Sequence, residues 1–288
     1  MNPAAGRGRA AGFIPAARAA LESVGGSTLI QTNGRGDEAR CAREALDRGA
    51  TTLVVLGGDG TVSQAACELV RAKSQVPLAI FGAGTGNDFA YAIGLPVHDY
   101  GAVTRLIAEN RIRTVDAGRI DNRVFVNSVG FGFDAEIVAR TQRSGGFLKG
   151  NAVYVTTALS QLFQYVGFSA NVTQGANSTG ARQWLMIVFA NGGRFGGTFR
   201  IAPDARIDDG LLDGIFIGNA STFKRTAIFA RATSGEHVRY PEVQVTRHSR
   251  YEIEFSTTPG YQADGEFFQA TSSTVIVEAL PAALRVIA

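Results

Sequence analysis

The 288-residue sequence predicts an α/β fold in two parts, an N-terminal parallel-sheet domain and a C-terminal, mostly antiparallel β-sandwich domain. In the first part, short apolar runs alternate with segments of helical periodicity, which is typical of a parallel sheet covered by helices. In the second part, strand-like runs follow one another with Gly, Asn, Asp and Pro turns between them. The pattern changes near residue 112. We therefore predict domains over 1–112 and 113–288, with the last residues returning to the first domain.

The elements of the first domain follow from apolar spacing and from end signals. Helices are predicted where apolar residues recur every three or four positions, and Gly49 ends one of them. The predicted elements are a helix over 9–24, a strand over 27–32, a helix over 37–48, a strand over 51–56, a helix over 62–72, a strand over 77–81 and further helical pattern to Asn110. A βα domain normally opens with a strand, whereas only Met1 precedes the loop-like residues 2–6. We therefore expect that a first strand is missing from this sequence.

The second domain is predicted from short β-branched and aromatic runs. Its predicted strands are 113–120, 123–129, 183–191, 212–217, 243–246, 251–256 and 274–278. Helical pattern is predicted at 134–143, 147–164 and 221–234.

Composition limits the functional classes. No apolar stretch reaches the roughly 18 residues of a membrane-spanning helix, and the start lacks the apolar region of a secretory signal. Two distant cysteines predict a reducing, cytoplasmic setting rather than a disulfide framework. The net charge of +3 is carried almost entirely by arginine, which suits phosphate or an anionic membrane surface, or simply a solvated face. There is no dense basic run, so we expect no nucleic-acid partner.

Two glycine-rich tracts are the most informative feature. Residues 57–61 (GGDGT) and 82–88 (GAGTGND) each follow an apolar run and precede a helical segment, about 25 residues apart. Such loops present backbone N–H groups and a helix dipole to one point, which suits phosphate. Successive βα units open onto one crevice. The alternative is that both tracts are merely tight turns.

The usual phosphate-binding motifs are not met. None of the three lysines follows a glycine, so there is no Walker A motif, and 82–86 has the wrong spacing for the dinucleotide fingerprint. Backbone amides and Mg²⁺ must then neutralise a bound phosphate. A carboxylate at Asp59 beside that phosphate requires a cation between them. Helix capping is the alternative role for Asp59, Asn87 and Asp88.

Taken together, these tracts and others resemble the diacylglycerol kinase catalytic-domain family, which includes bacterial soluble lipid kinases and is related to sphingosine and ceramide kinases. The resemblance spans nearly the whole chain in the right order. The matching segments are NPAAG at 2–6, Thr32, GGDGT at 57–61, GTGNDFA at 84–90, NGGRFGG at 191–197, APDA at 202–205, DGLLD at 209–213 and DGE at 264–266. The resemblance implies a nucleotide-binding α/β domain, as in NAD kinases and diacylglycerol kinases, and a lipid-binding sandwich domain.

The resemblance also implies roles for individual residues. Glu266 matches the proton acceptor of bacterial members, Asp264 is expected to help hold Mg²⁺, and Asp59 is a further candidate catalytic carboxylate. Asp134 matches a position that contacts the lipid head group, and Asn87 and Asp88 are further candidate substrate contacts. A structural Mg²⁺ is implied at Arg206, Asp209 and Leu211, the first and last through backbone carbonyls. The implied ATP contacts are Asn2, Pro3, Ala4, Ala5, Gly6, Thr32, Gly58, Asp59, Gly60, Thr61, Val62, Ser63, Gln64 and Thr85.

One departure concerns Ser63 and Gln64, which stand where the family usually has Asn-Glu. Losing that carboxylate weakens the expectation of full activity or of the usual metal arrangement.

The resulting hypothesis is an ATP- and Mg²⁺-dependent kinase that phosphorylates a lipid hydroxyl, most simply that of diacylglycerol or a related lipid. We expect a cytoplasmic enzyme that meets its substrate at the membrane surface through transient peripheral contact; a homodimer is left open. The alternatives are an NAD kinase-like phosphotransferase and a non-catalytic nucleotide- or lipid-binding module.

Overall fold

The computed structural model describes residues 1–34, 36–143, 162 and 164–288. These residues form two compact units. The first comprises Met1–Ala117, Ile207–Gly210 and Leu280–Ala288, and the second comprises Gly118–Arg206 and Leu211–Ala279. The predicted helix over 147–164 lies almost entirely outside the described residues.

Helices and strands alternate in the first part of the chain. In chain order they are a 3₁₀ turn (Ala5–Gly8), α1 (Ala10–Glu22), α2 (Glu38–Asp47), β1 (Leu53–Gly57), α3 (Asp59–Arg71), β2 (Leu78–Gly82), α4 (Asp88–Ala92), α5 (Tyr100–Ala108) and β3 (Ile112–Ile120).

Strands dominate the rest. They are β4 (Arg123–Phe125), β5 (Ser128–Gly132), β6 (Phe168–Gln174), β7 (Asn177–Ser178), β8 (Arg182–Ala190), β9 (Leu212–Gly218), β10 (Val243–His248), β11 (Arg250–Phe255), β12 (Gly260–Ala263), β13 (Glu266–Gln269) and β14 (Thr274–Ile287). The helical elements among them are α6 (Phe133–Arg143), α7 (Thr222–Arg231) and a 3₁₀ turn (Glu236–Arg239).

The sheet of the first unit is parallel, as predicted. β1 pairs with β2 in register from Leu53 opposite Leu78 to Gly57 opposite Gly82, and Val286 of β14 pairs with the other edge of β2, also in parallel. All five residues of β2 are buried. This explains why both strands are continuous apolar runs rather than alternating ones. The two glycine tracts consequently begin at the same level of the sheet.

Residues 27–32 were predicted to be a strand, and that prediction is wrong. Two hydrogen bonds join the segment to the start of the chain: the Met1 ammonium donates to the Ile30 carbonyl (2.7 Å) and Thr32 N donates to the Met1 carbonyl (3.0 Å). A strand is defined by a ladder with a neighbour, which two isolated bonds do not provide.

The second unit is an antiparallel arrangement in which β8 is buried on both faces. Trp184, Ile187 and Phe189 pack into one apolar cluster with Phe216 and Tyr251. The intervening residues of β8 pack into a second cluster beneath α6 and α7. This double burial explains the unbroken apolar run that predicted the strand. β6 and the β12–β13 hairpin were missed by the sequence analysis, because these short strands mix polar and apolar residues.

Candidate active site

The two glycine loops touch each other at the carboxyl ends of β1 and β2. Ala83 N donates to the Gly57 carbonyl (2.8 Å), which continues the pairing beyond the strands. A Cβ atom on Gly84 would lie 2.6 Å from the Cα of Gly58. The backbones can therefore approach only because neither residue has a side chain.

The carboxylate of Asp59 joins the two loops. Its Oδ2 accepts a hydrogen bond from Asn87 N (2.8 Å) and its Oδ1 accepts one from Asp88 N (2.6 Å). Asp59 is the first residue of α3, yet the N–H groups it binds are at the start of α4. A negative charge is favourable at both helix N-termini. Asp59 is therefore not the N-cap of its own helix, which is Gly58, but its side chain binds the first N–H groups of α4. The catalytic role of Asp59 stays a prediction.

The amino-terminal loop packs against the first glycine loop. Asn2 Nδ2 donates to Thr61 Oγ1 and to Glu38 Oε1, both at 2.9 Å, and Asn2 N donates to the Leu56 carbonyl (3.0 Å). The structure therefore brings the predicted ATP contacts Asn2 and Thr61 together. Glu38 was missed, because an acidic residue in the first turn of a helix looks like an ordinary surface residue.

A helix N-terminus faces this loop assembly. Gly58 precedes α3 and provides no capping side chain, and the first intrahelical bond runs from Val62 N to the Gly58 carbonyl. The N–H groups of the first turn, at Asp59, Gly60 and Thr61, therefore have no partner within the helix. This arrangement suits a phosphate group.

Arg9 is a cation at the same loops that the sequence analysis did not single out. Its Nε donates to the Gly6 carbonyl (3.0 Å) and its Nη2 donates to Thr85 Oγ1 (2.9 Å). Gly6 in turn is close to the second loop, since a Cβ there would lie 2.6 Å from the Ala83 carbonyl oxygen. The predicted contacts Gly6 and Thr85 are thus connected through one guanidinium group.

In the second unit, the DGE segment forms a tight hairpin. Asp264 and Gly265 have φ values of +47° and +82°, and Ala263 pairs with Glu266 across the turn. This Asp-Gly turn is of the kind that matches the twist of two antiparallel strands. Glu266 is the first residue of β13 and is half-buried.

The Asp264 side chain holds the hairpin against the start of β5. Its Oδ1 accepts hydrogen bonds from Asn127 N (2.9 Å) and Ser128 N (3.0 Å), and its Oδ2 accepts one from Val126 N (2.9 Å). These charge-assisted bonds fix the position of the turn. The role of Asp264 in holding Mg²⁺ stays a prediction.

Asp134 is a buried carboxyl beside an apolar cavity of the second unit. Its Oδ2 accepts a hydrogen bond from Gln262 Nε2 (3.2 Å), and Gln262 Oε1 accepts one from Gly265 N (2.9 Å). Burial raises the pKa of Asp134 to about 7, and the bond from Gln262 offsets part of the rise. Gln262 therefore links this carboxyl to the turn that precedes Glu266.

The cavity has a volume of about 40 Å³ and is almost entirely apolar. Arg225 lines one side of the cavity and is buried. Its Nη1 donates to the carbonyls of Leu162 (3.0 Å) and Tyr165 (2.6 Å), so the buried charge interacts with backbone dipoles. The lining residues are Phe133, Asp134, Ile137, Leu162, Leu185, Met186, Phe195, Phe199, Ile201, Ile217, Arg225, Ile228, Phe229 and Ala232.

The turn that carries Asp209 is held by a carboxylate that the sequence analysis missed. Asp116, on β3, accepts hydrogen bonds from Gly210 N and Ala282 N, both at 2.7 Å. Arg206, Asp209 and Leu211 remain the predicted ligands of a structural Mg²⁺, a hard cation that binds oxygen donors. Among the described residues, no three His, Cys, Asp or Glu side chains cluster in a way that could hold a metal ion. A metal here would thus depend on backbone carbonyls and water, and Mg²⁺ stays a prediction.

Comparison with known proteins identifies the family. Residues 1–120 match the model of the diacylglycerol kinase catalytic domain, and residues 127–288 match that of the YegS C-terminal NAD kinase beta sandwich-like domain. A Mycobacterium tuberculosis protein named diacylglycerol kinase is 31% identical over 99% of this chain and 93% of its own length. The chain belongs to the diacylglycerol kinase family.

Other relatives agree with this membership. A Pseudomonas aeruginosa protein named "Probable lipid kinase YegS-like" is 34% identical over 69% of this chain and 66% of its own length. The match thus spans just under two thirds of that relative. The predicted family, and the α/β fold with a sandwich-like C-terminal domain, are confirmed.

Solved structures show the same fold at low identity. A diacylglycerol kinase from Bacillus anthracis has a TM-score of 0.77 at 20% identity, covering 99% of this chain and 94% of that one. An NAD kinase from Archaeoglobus fulgidus in complex with ATP has a TM-score of 0.56 at 11% identity, covering 96% and 90%. No helix in the described part of this family member has both the length and the apolar character needed to cross a membrane.

We expect Gly84→Ala to destabilise the first unit by about 1–3 kcal/mol, because its Cβ would collide with the Gly58 backbone. Urea unfolding monitored by circular dichroism measures the change. Gly12→Ala in α1 is the matched control: nothing lies within 4 Å of its Cβ, so unchanged or slightly higher stability is expected. Equal stability of the two variants would contradict the described loop contact.

The raised pKa of Asp134 predicts a pH-dependent stability. Between the ordinary carboxyl pKa, near 4, and about 7, the folded state binds more protons than the unfolded state, so the free energy of unfolding falls as pH rises through this window. Asp134→Asn removes this dependence, and we expect it to be more stable than the parent at pH 8 and similar at pH 4.5. Urea unfolding across this range tests it; parallel profiles for the two proteins would contradict the burial argument.

Proposed function

We propose that the chain transfers the γ-phosphoryl group of ATP to the hydroxyl of a lipid, diacylglycerol or a close relative. The observation that carries the proposal is the pair of in-register glycine loops at the ends of β1 and β2, with the uncapped start of α3 beside them. The names of its relatives, lipid kinase and diacylglycerol kinase, supply the acceptor class.

In this proposal the nucleotide is bound by the first unit. Backbone N–H groups of Gly58 to Thr61 hold the phosphates, and the bond between Asn2 and Thr61 fixes the amino-terminal loop beside them. The Asp59 carboxylate binds backbone N–H groups at the end of the second loop. Thr85 is therefore kept in place relative to the first loop. Most of the rate enhancement then comes from positioning rather than from covalent chemistry.

The lipid is bound by the second unit. The apolar cavity offers a surface for an acyl chain, and the Asp134 carboxyl, held by Gln262, offers a hydrogen-bonding group for the polar head. At about 40 Å³ the cavity has room for only a few atoms, so an acyl chain requires its wall to move. Met186 and the phenylalanines at its wall would have to reorient, and methionine adapts readily to such changes.

In the chemical step, the lipid hydroxyl oxygen attacks the γ-phosphorus, the bond from that phosphorus to the β-phosphate oxygen breaks, and ADP leaves. Glu266 accepts the hydroxyl proton, and its place directly after a tight turn fixes its backbone. Mg²⁺, when bound, would neutralise phosphate charge, and the Asp264 carboxylate, which also accepts three backbone N–H bonds, would contribute an oxygen to its binding. A structural Mg²⁺ would be held by Arg206, Asp209 and Leu211.

We expect Glu266→Gln to lower the rate of diacylglycerol phosphorylation by roughly 10²–10⁴-fold while ATP binding persists, since it removes a general base. Transfer of ³²P from labelled ATP to diacylglycerol, in mixed micelles with Mg²⁺, measures the rate. Glu254→Gln on β11 removes the same charge from the same unit and should retain activity. Full activity of Glu266→Gln would contradict the assignment of Glu266 as the proton acceptor. Phosphorylation of NAD but not of lipid by the parent protein would contradict the lipid acceptor.

Peripheral membrane contact belongs to the same proposal. Phe223, in the first turn of α7, is 91% exposed, and Val166, next to the Arg225-bound Tyr165, is 79% exposed. Phe223 lies two residues before Arg225, which lines the apolar cavity, and Val166 follows Tyr165, whose carbonyl Arg225 binds. Apolar side chains at this level of exposure gain free energy by entering a bilayer interface.

We expect Phe223→Ser to weaken binding to vesicles of phosphatidylglycerol, phosphatidylcholine and diacylglycerol by about tenfold, as losing a buried aromatic side chain implies. Vesicle sedimentation measures the partition. Phe13→Ser removes a phenylalanine from α1, in the first unit, and serves as the control. Identical partition of the parent and both variants would show that Phe223 does not contact the bilayer.

A further inference from the structure

Arg9 contacts both sides of the proposed nucleotide site. Its guanidinium group reaches the Gly6 carbonyl with Nε and the Thr85 hydroxyl with Nη2. Gly6 belongs to the amino-terminal loop, and Thr85 belongs to the loop after β2. Arginine carries five N–H donors in a planar fork, so these two bonds fix its orientation and leave further donors on Nη1 and Nη2.

Among the described residues, no carboxylate pairs with the charge of Arg9. Many exposed arginines of this chain pair with acidic side chains, as Arg40 does with Asp37 and Arg43 with Glu68. Arg9 forms no salt bridge within the part of the chain that the structure describes. Both of its acceptors there are neutral oxygens.

The position of this charge is also unusual. Arg9 is the N-cap residue of α1, a 13-residue helix, and makes no side-chain capping bond. A cation at a helix N-terminus is disfavoured by the helix dipole, which favours an anion there. The dipole of α1 and the guanidinium group therefore both favour a negatively charged ligand at this point.

We propose that Arg9 binds the phosphate chain of the nucleotide, in the role that a P-loop lysine has elsewhere. The inference rests on the proposed ATP-dependent function and adds to it a nucleotide-binding residue outside the glycine motifs. A bidentate contact from the Nη groups suits two phosphate oxygens. Because the same side chain binds Gly6 and Thr85, phosphate binding to Arg9 would also stabilise the contact between these two loops.

The test compares nucleotides that differ in phosphate number. Titration calorimetry measures the affinities of ATP, ADP, AMP and adenosine for the full chain and for Arg9→Gln, Arg9→Lys and Arg18→Ala. Arg18, exposed on α1, is the matched control for loss of one charge from the same helix. Thermal unfolding of each variant verifies the fold.

For Arg9→Gln we expect about a tenfold to hundredfold loss of ATP affinity, a smaller loss for ADP and none for adenosine, as for the loss of a charge-assisted phosphate contact. Arg9→Lys should recover part of the loss, and added salt should weaken ATP binding less in Arg9→Gln than in the parent. Arg18→Ala should match the parent.

The outcomes separate the two proposals. If the parent binds no ATP, the proposed function fails. If the parent binds ATP and Arg9→Gln binds it equally well, the function stands and the role of Arg9 is overturned. An equal loss for adenosine and ATP also overturns it, because the side chain would then act only through loop structure.

Discussion

The bonds from Asn87 N and Asp88 N to the Asp59 carboxylate are the constraint on which the first unit depends. They hold the second glycine loop to the start of α3, while the missing side chains of Gly58 and Gly84 allow the backbones to meet. Without Asp59, the start of α4 would lose two charge-assisted acceptors at once. In the proposed phosphate site the donors are thus backbone groups, whose geometry is fixed by a carboxylate.

Much of this arrangement could be predicted from the sequence. The run that became β2 is buried throughout, and the run that became β1 is buried over its last three residues. Their apolar character and the glycines after them are therefore strong local signals. The family resemblance, carried by ordered motifs, pointed to the DGE turn and to Asp134, whose roles stay predictions. Contacts between distant segments left no such signal. The residues next to Arg9 in the sequence do not indicate that its side chain reaches Thr85. Those next to Asp116 likewise do not indicate that it binds Gly210 and Ala282.

The errors have a common physical origin. Residues 27–32 have strand-like composition, but a strand exists only when a neighbour provides a ladder, and that neighbour is not encoded locally. Conversely, β12 and β13 were missed because they are short and mix polar and apolar residues. The contacts that place them in the sheet, the pairing of β12 with β5 and the bond from Asn127 N to Asp264, join residues far apart in the chain. In both cases a long-range contact decides what a short window of sequence cannot.

The bonding of the Asp264–Gly265 turn bears on the chemical lifetime of the protein. Asp-Gly sequences age by cyclisation, in which the glycine nitrogen attacks the aspartate carboxyl carbon and water leaves to give a succinimide. Hydrolysis of the succinimide then gives isoaspartate. Here the Gly265 N–H donates a hydrogen bond to the Gln262 side chain, and both Asp264 carboxylate oxygens accept hydrogen bonds from backbone N–H groups. Ring closure requires these bonds to break first. The folded hairpin therefore protects a sequence that would degrade readily in an unstructured segment.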